Sequence, residues 1–443
     1  LLEQTACAAQ TDVNFPEEFM IRTLLFAATA TLAITTPAFA ETKVILAGNL
    51  IADPAQGATG PATITVTDGR IVSVEKGLAK GRVPAGATVI DLSTKTVLPG
   101  LIDLHVHLTS DPGGDYRAEA VDSDEWATLI GVKNAAITVD AGFTTVREAG
   151  SAQNTAFALR RGTNEAILWG PRIVAAGPAI SIVGGHADVS GFRPEVLVAL
   201  DSGYTCTGAD QCSEKVRKAS KMGADIIKIT ATGGVLSQQG RGLEAHFNND
   251  ELKAIADTAH SLGLKVMAHA HGARGIEASA VAGIDTIDHA TFADEAALKA
   301  MKARGTVLVP TLMALEGVRA RIGKGIYTPT VEVKAREALE AAGRQVQRSK
   351  AMGVTVAFGT DAGVFEHGRN AGEFALLVKN GLSPVEAVAS ATTVAAKTLG
   401  MENEIGRIAP GYSADLIAVS GNPLQDVTLL EKVEWVMARG RTK

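Results

Sequence analysis

The sequence predicts an α/β fold: a (β/α)8 TIM barrel with a small β-sandwich domain formed from both chain ends. Three observations carry this prediction. Short β-branched apolar runs alternate with amphipathic helical segments from about Gly100 to Met401. Strands separated by helices of that length must run parallel, and eight such units close a barrel of about 250 residues or more. The stretches on either side of this region carry no helical pattern and read as β throughout. A doubly wound open sheet is the competing fold, but no GxGxxG follows the first barrel strand. With 443 residues, 46% of them hydrophobic, the chain can bury a large core.

Taken in order, residues 1–40 read as leader plus secretory signal. "MIRT" at Met20 opens a short positive segment, the apolar run "LLFAATATLAI" follows, and Ala38-Phe39-Ala40 forms a small-x-small cleavage site before Glu41. A mature chain starting at Glu41, periplasmic or secreted, is expected. No later run is long and apolar enough for a transmembrane helix, so no membrane association is expected after cleavage. Residues 41–98 contain "TKVILAGNLIAD", "ATITVTDGRIVSVEKG" and "ATVIDLSTKTVLPG", and residues 402–443 repeat the style in "IGRIAPGYSADLIAVSGNP". These two stretches are expected to form one composite β domain around the barrel of residues 99–401. The net charge of −6 and the lack of any Lys/Arg-rich run exclude a nucleic-acid-binding protein. Outside the leader only Cys206 and Cys212 remain, six apart. In an oxidising compartment a disulfide is the simplest use for them; two thiolates with no nearby histidine make a poor zinc site.

The barrel strands include "GLIDLHVHLTS", "GFTTVREAG", "PRIVAAG", "ADIIKIT", "LKVMAHAHG", "GIDTIDHA", "TVLVPTL" and "VTVAFGTDAG". The helices between them include "NDELKAIADTAHSLG" and one long segment over 331–353. His105 and His107 end the first strand, two apart and so on one face. His269 and His271 end another, His289 ends "GIDTIDHA", and Asp361 ends "VTVAFGTDAG". A single HxH pair carries little information. Four such coincidences at successive strand ends, where barrels of this kind place their sites, point to metal binding. Lys228 belongs with them. An unpaired ammonium is costly in a buried strand, but an amine kept neutral by burial can add CO2, and the resulting carbamate is an anionic oxygen ligand able to bridge two divalent cations.

This set of an HxH pair, a strand lysine, two single histidines and a late aspartate, with a split β domain, resembles the binuclear, carboxylated-lysine branch of the amidohydrolase superfamily. The wording "LPGLIDLHVHL", "TTVREAG", "GADIIKI", "MAHAHG" and "FGTDAG" is most similar to secreted prolidase-like carboxypeptidases, the group that also contains ochratoxin-hydrolysing amidases. The resemblance spans residues 41–443. It implies two divalent ions, most simply Zn2+. His105, His107 and Asp361 would hold the more buried one, His269 and His289 the other, and carboxylated Lys228 would bridge both. It implies hydrolysis of the amide bond to a C-terminal amino acid, in dipeptides or N-acyl amino acids, by a metal-bridging hydroxide, with Asp361 relaying the proton to the leaving amine. Ochratoxin A, with release of phenylalanine, falls within that substrate range. It also implies a homo-oligomer.

The residues expected to meet the substrate are His186 in the loop "IVGGHAD", His271 beside His269, and Arg147 in "TTVREAG". Each has a structural alternative: His271 can orient a ligand, and Arg147 can pair with Glu148 or another nearby acid. His246 and His260 read as surface or helix-packing residues, and His367 as a rim residue. Another amidohydrolase activity, on cyclic amides or esters, is the alternative enzyme reading. A catalytically inactive scaffold barrel would have lost ligands, whereas this chain keeps the whole set.

Overall fold

The computed structural model describes residues 41–79, 81, 83–113, 117 and 120–443. The signal and cleavage site expected over residues 1–40 lie outside them. β1 (Thr42–Leu50) is followed by β2 (Ala62–Thr67) and β3 (Arg70–Lys76). Asp68 and Gly69, at φ 48° and 77°, are the only residues between β2 and β3. An Asp-Gly pair at positive φ makes the tight turn whose twist suits an antiparallel hairpin. β4 (Thr88–Pro99) then pairs parallel with β1, with a register shift between Ala47 and Asn49.

β5 (Leu101–Val106) begins two residues after β4 ends and leads into the parallel region. β6 (Phe143–Glu148) and β7 (Arg172–Ala175) join it in a three-stranded parallel sheet. β8 (Ser181–Ile182) and β9 (Thr205–Cys206) form a short parallel pair. β10 (Ile226–Thr230), β11 (Lys265–Ala270), β12 (Thr286–His289) and β13 (Val307–Val309) make a four-stranded parallel sheet in sequence order. Helices separate these strands, except that β8 follows β7 directly. Isolated parallel bridges between Ile180 and Ile229, Leu308 and Val356, and Val106 and Ala362 link the edges of the two larger sheets to intervening segments. The parallel strands are thus divided between separate sheets, with no single continuous ring among the described residues.

Two expected elements differ from the pattern. The strand expected over "VTVAFGTDAG" is irregular. Leu308 N donates to Thr355 O, Ala357 N to Leu308 O and Leu104 N to Phe358 O, as a strand between β13 and β5 requires. Phe358 N, however, turns to Ser390 O, and Thr360 N to the Asp103 carboxylate. With Asp361 at φ 63°, only isolated bridges survive. The long helix expected over 331–353 is two helices, Pro329–Ala341 and Arg344–Met352. Gly343 parts them at φ 84°, and a Cβ there would come within 2.1 Å of Asn380 Oδ1.

The chain returns to its starting sheet through β14 (Leu416–Val419) and β15 (Trp435–Met437). The resulting order, β15-β14-β4-β1-β2-β3, takes strands from both chain ends. It is one six-stranded sheet, and no second sheet faces it among the described residues, so the two layers implied by a sandwich are not seen. Its own apolar core includes Ile45, Ile64, Ile71, Val97, Leu416 and Met437. Two larger clusters lie in the parallel region, one around Leu101, Phe143, Phe358 and Phe374, the other around Ile227, Val266, Ile287 and Leu308. Cys206 and Cys212 are disulfide-bonded, with Cα atoms 5.1 Å apart. No helix among the described residues is long and apolar enough to cross a membrane.

Candidate metal centre

In a strand, residues two apart share a face. β5 therefore presents Asp103, His105 and His107 together where it ends. His105 Nδ1 lies 2.7 Å from Asp288 Oδ2, and His107 Nδ1 lies 2.9 Å from Gly150 O. Each Nδ1 is thereby engaged, which leaves Nε2 of both rings free for a ligand. Those two Nε2 atoms converge on one oxygen, Asp361 Oδ1, at 3.5 and 3.4 Å. Donors about 2.0–2.1 Å from a tetrahedral zinc ion lie roughly 3.4 Å from one another. The spacing fits a single ion held by all three.

A second trio stands beside the first. Donor atoms of His269, His271 and His289 all lie within 4.8 Å of one another. The His289 ring is 5.1 Å from that of His105 and 4.6 Å from that of His269. His289 Nδ1 meets Thr311 Oγ1 at 2.6 Å and His271 Nδ1 meets Thr291 Oγ1 at 2.8 Å, so each is again oriented through one nitrogen. Burial keeps these imidazoles neutral, as metal ligands must be. It pushes His107 down to about 4 and His271 to about 3, and it holds His105, His269 and His289 well below the ordinary histidine value.

Lys228, in the middle of β10, is 4% exposed. Burial pulls its amine down to about 8, against the opposing pull of Asp288 and Asp361. Asp361 is pushed up to about 7, by burial above all, with Lys228 working the other way. His289 and Asp361 both adopt left-handed backbone, φ 72° and 63°. Non-glycine residues rarely hold that conformation, and it costs of order 1–3 kcal/mol at each position.

The other expected site residues divide. His186 is half-buried, with its ring centroid 4.3 Å from that of His269; its Nδ1 is buried without a hydrogen-bond partner. Arg147 is corrected: it is fully buried and cannot meet a substrate. Its guanidinium donates to Leu104 O, to Thr286 Oγ1 at 3.1 Å, and to both oxygens of Asp288 at 3.2 and 3.3 Å. Glu148 is not its partner, because adjacent strand residues face opposite ways. Glu148 instead accepts from Leu108 N at 2.7 Å. His260 pairs with Asp285, and His367 bonds Ser110 O at 3.1 Å.

Sequence reasoning missed two acids beneath the ligands. Asp288 joins His105 to Arg147. Asp103 accepts from His105 N, Thr360 N, Thr360 Oγ1 and Asn370 Nδ2, tying β5 to the Asp361 segment. Asp103 stands two before His105 on the same face, and that spacing was the available signal. Asp288 and its neighbour His289 both lie beside His105, and nothing in the sequence pairs Asp288 with His105 across 183 positions.

The model of the amidohydrolase family matches residues 96–443. The chain belongs to the amidohydrolase family. This amidohydrolase is 30% identical to ochratoxinase of Aspergillus niger over 358 residues, 77% of this chain and 73% of that protein. Among solved structures, it resembles a Xaa-Pro dipeptidase with bound methionine in its active site. That match has 36% identity and a TM-score of 0.84, covering 91% of this chain and all of the other. A. niger ochratoxinase superimposes with a TM-score of 0.78 at 27% identity, over 91% of this chain and 95% of that one. This amidohydrolase is a hydrolase acting on amide bonds.

Proposed function

We propose that the protein is a secreted or periplasmic binuclear metallo-amidohydrolase that releases the C-terminal amino acid from N-acyl amino acids and dipeptides. Aromatic amides of the ochratoxin type belong to that range. The observation that carries this reading is the convergence of His105 Nε2, His107 Nε2 and Asp361 Oδ1 beside a second histidine trio. The similarity to a Xaa-Pro dipeptidase, whose name describes cleavage of a dipeptide, supports the choice of bond, and the similarity to an ochratoxinase supports the inclusion of ochratoxin. In this reading the seven strands β5–β7 and β10–β13 close into a (β/α)8 barrel with the 355–362 segment as the eighth, bridged to β13 at Leu308 and to β5 at Val106.

His105, His107 and Asp361 would hold one divalent ion and His269 and His289 the other, zinc in the simplest case, with a Lys228 carbamate between them. Ions bound there supply a nucleophile from water at neutral pH and polarise the amide carbonyl. Asp361, which faces both imidazoles, would take a proton from the attacking water and return it to the leaving nitrogen. His186, half-buried with its ring against that of His269, would meet the carbonyl or carboxylate of the substrate. His271 stands beside His269 and His289 with one nitrogen on Thr291, placed to orient the substrate or to complete the second set.

The test is a kcat/KM screen of metal-loaded protein on N-acyl amino acids and dipeptides with varied C-terminal residues. Release of the C-terminal amino acid is expected. Turnover of cyclic amides or esters, with no amino acid released from any linear amide, would replace this reading.

A further inference from the structure

Lys334 lies on the helix Pro329–Ala341 and is 4% exposed. No carboxylate pairs with it among the described residues. Its ammonium is instead enclosed by the loop that follows β10. It donates to Gly234 O at 2.8 Å, Ser237 O at 2.6 Å, Gln239 O at 3.1 Å and Ser237 Oγ at 3.3 Å. Three carbonyls turned onto one buried cation fix the path of a loop that has no regular secondary structure of its own. Thr328, at the head of the same helix, adds a bond to Gln238 Oε1 at 2.9 Å. Beneath these ties, Val235 and Leu243 pack with Ala335 and Ala338.

What the loop touches on its other side gives this clamp its consequence. Gln239 Nε2 donates to Gly185 O at 2.6 Å and to Asp188 O at 3.2 Å, gripping the backbone on both sides of His186. Gly234, whose carbonyl Lys334 holds, lies flat against the His186 ring. A Cβ on Gly234 would stand 2.2 Å from His186 Nδ1 and Cε1, so the imidazole occupies the space a side chain would need. Gly233 O lies 3.2 Å from His269 Nε2. A continuous run of direct contacts therefore leads from Lys334 through Gly234 and Gln239 to His186, whose ring stands against His269.

We propose that Lys334 is a positioning residue: its ammonium acts as a built-in cation that organises the 233–239 loop, and this loop holds His186 over the candidate metal centre. The catalytic consequence rests on the proposed function; the structural coupling does not.

Hydrogen exchange on the full-length, metal-loaded protein tests the coupling without substrate. Lys334→Met keeps the apolar stem and removes the ammonium. Faster exchange is expected both in residues 234–239 and in residues 184–188, with the β11 and β12 amides unchanged. Acceleration confined to 234–239 would overturn the proposal. Should the Met variant fail to fold, Gln239→Ala cuts only the second tie and buries no new charge; it should accelerate 184–188, and unchanged exchange there counts equally against the clamp.

Kinetics on any substrate found in the screen form the second arm. Lys334→Met should lower kcat/KM about tenfold in the wild-type background and have almost no effect in a His186→Ala background, because contacting residues in one network are not additive. Equal losses in both backgrounds would show that Lys334 acts other than through His186. If no substrate is turned over, the functional reading fails while the exchange result still decides the clamp.

Discussion

Asp288→Asn separates the supporting charge network from the ligands it supports. Asp288 is fully buried and has three partners: His105 Nδ1 at 2.7 Å, the Arg147 guanidinium at 3.2 and 3.3 Å, and Thr286 Oγ1 at 3.1 Å. Asparagine keeps the shape and one acceptor oxygen but leaves the guanidinium, also fully buried, without a counter-charge. Removing one partner of a buried ion pair costs about 3–5 kcal/mol, against about 5–15 kcal/mol for a whole domain. The neutral amide also orients His105 less strongly, and losing such a carboxylate–histidine contact typically weakens metal binding about 10–100-fold. Urea unfolding of the metal-free protein reads the first quantity, and competition with a chelating indicator reads the second. An Arg147→Met, Asp288→Asn double variant should recover part of the stability, because the stranded charge is gone, but none of the metal affinity. A single variant within about 1 kcal/mol of wild type, with unchanged metal affinity, would refute the claim that Arg147 and Asp288 form the foundation of His105.

Three further outcomes follow from the same geometry. Lys228→Ala should lose activity and at least one equivalent of metal by elemental analysis, with partial recovery on adding a small carboxylate; unchanged metal content and turnover would dismiss the carbamate. Chelator treatment should abolish turnover and lower the melting temperature, and adding back divalent metal should restore both. Glu373 is buried and accepts from Leu312 N and Met313 N, and burial pushes its carboxyl up to about 8. A carboxyl raised on folding binds its proton more tightly in the folded state, so its contribution is present below the unfolded value and fades as pH rises through the folded one. Wild type should therefore lose stability relative to Glu373→Gln between about pH 5 and 8, read by denaturant midpoints; parallel profiles would refute the assignment.

The parts of the site that were legible in the sequence are those governed by short spacings. The HxH pair, the strand-end histidines and Asp361 announce themselves because strand periodicity and parallel connections bring successive strand ends to one place. Lys228 was legible as a violation, a charge inside "ADIIKIT". The Asp103 network was within reach, since it needs only the same two-residue period. Arg147 was not, because whether a buried guanidinium faces a cavity or a neighbouring strand depends on which strand lies opposite, and Asp288 is 141 positions away. The Lys334 clamp was hidden for the same reason: its acceptors are backbone carbonyls, which leave no trace in side-chain pattern. The layering of the β domain, of which one six-stranded sheet is seen among the described residues, and the irregular strand before Asp361 were illegible for another reason. β-branched composition reports that a segment is extended, but not which layer it joins or which acceptors its backbone finds.

The irregular strand and the strained backbone have a common cause. A regular ladder through Thr360 and Asp361 would send alternate side chains to opposite faces, and Asp361 would then follow strand geometry instead of meeting His105 and His107. Here Asp103 takes up the Thr360 amide and hydroxyl, and Asp361 N donates to His105 O at 2.7 Å, so the chain turns through left-handed φ just where Asp361 has to face the two imidazoles. His289 repeats this solution at the end of β12, held from Thr311, itself at φ 51°. Strain of a few kcal/mol at three positions is maintained only because the buried hydrogen bonds around them over-determine the backbone. Asp361 and His289 each carry a donor atom of one of the two candidate ligand groups, while Ala290, also at positive φ beside His289, lies in the apolar core.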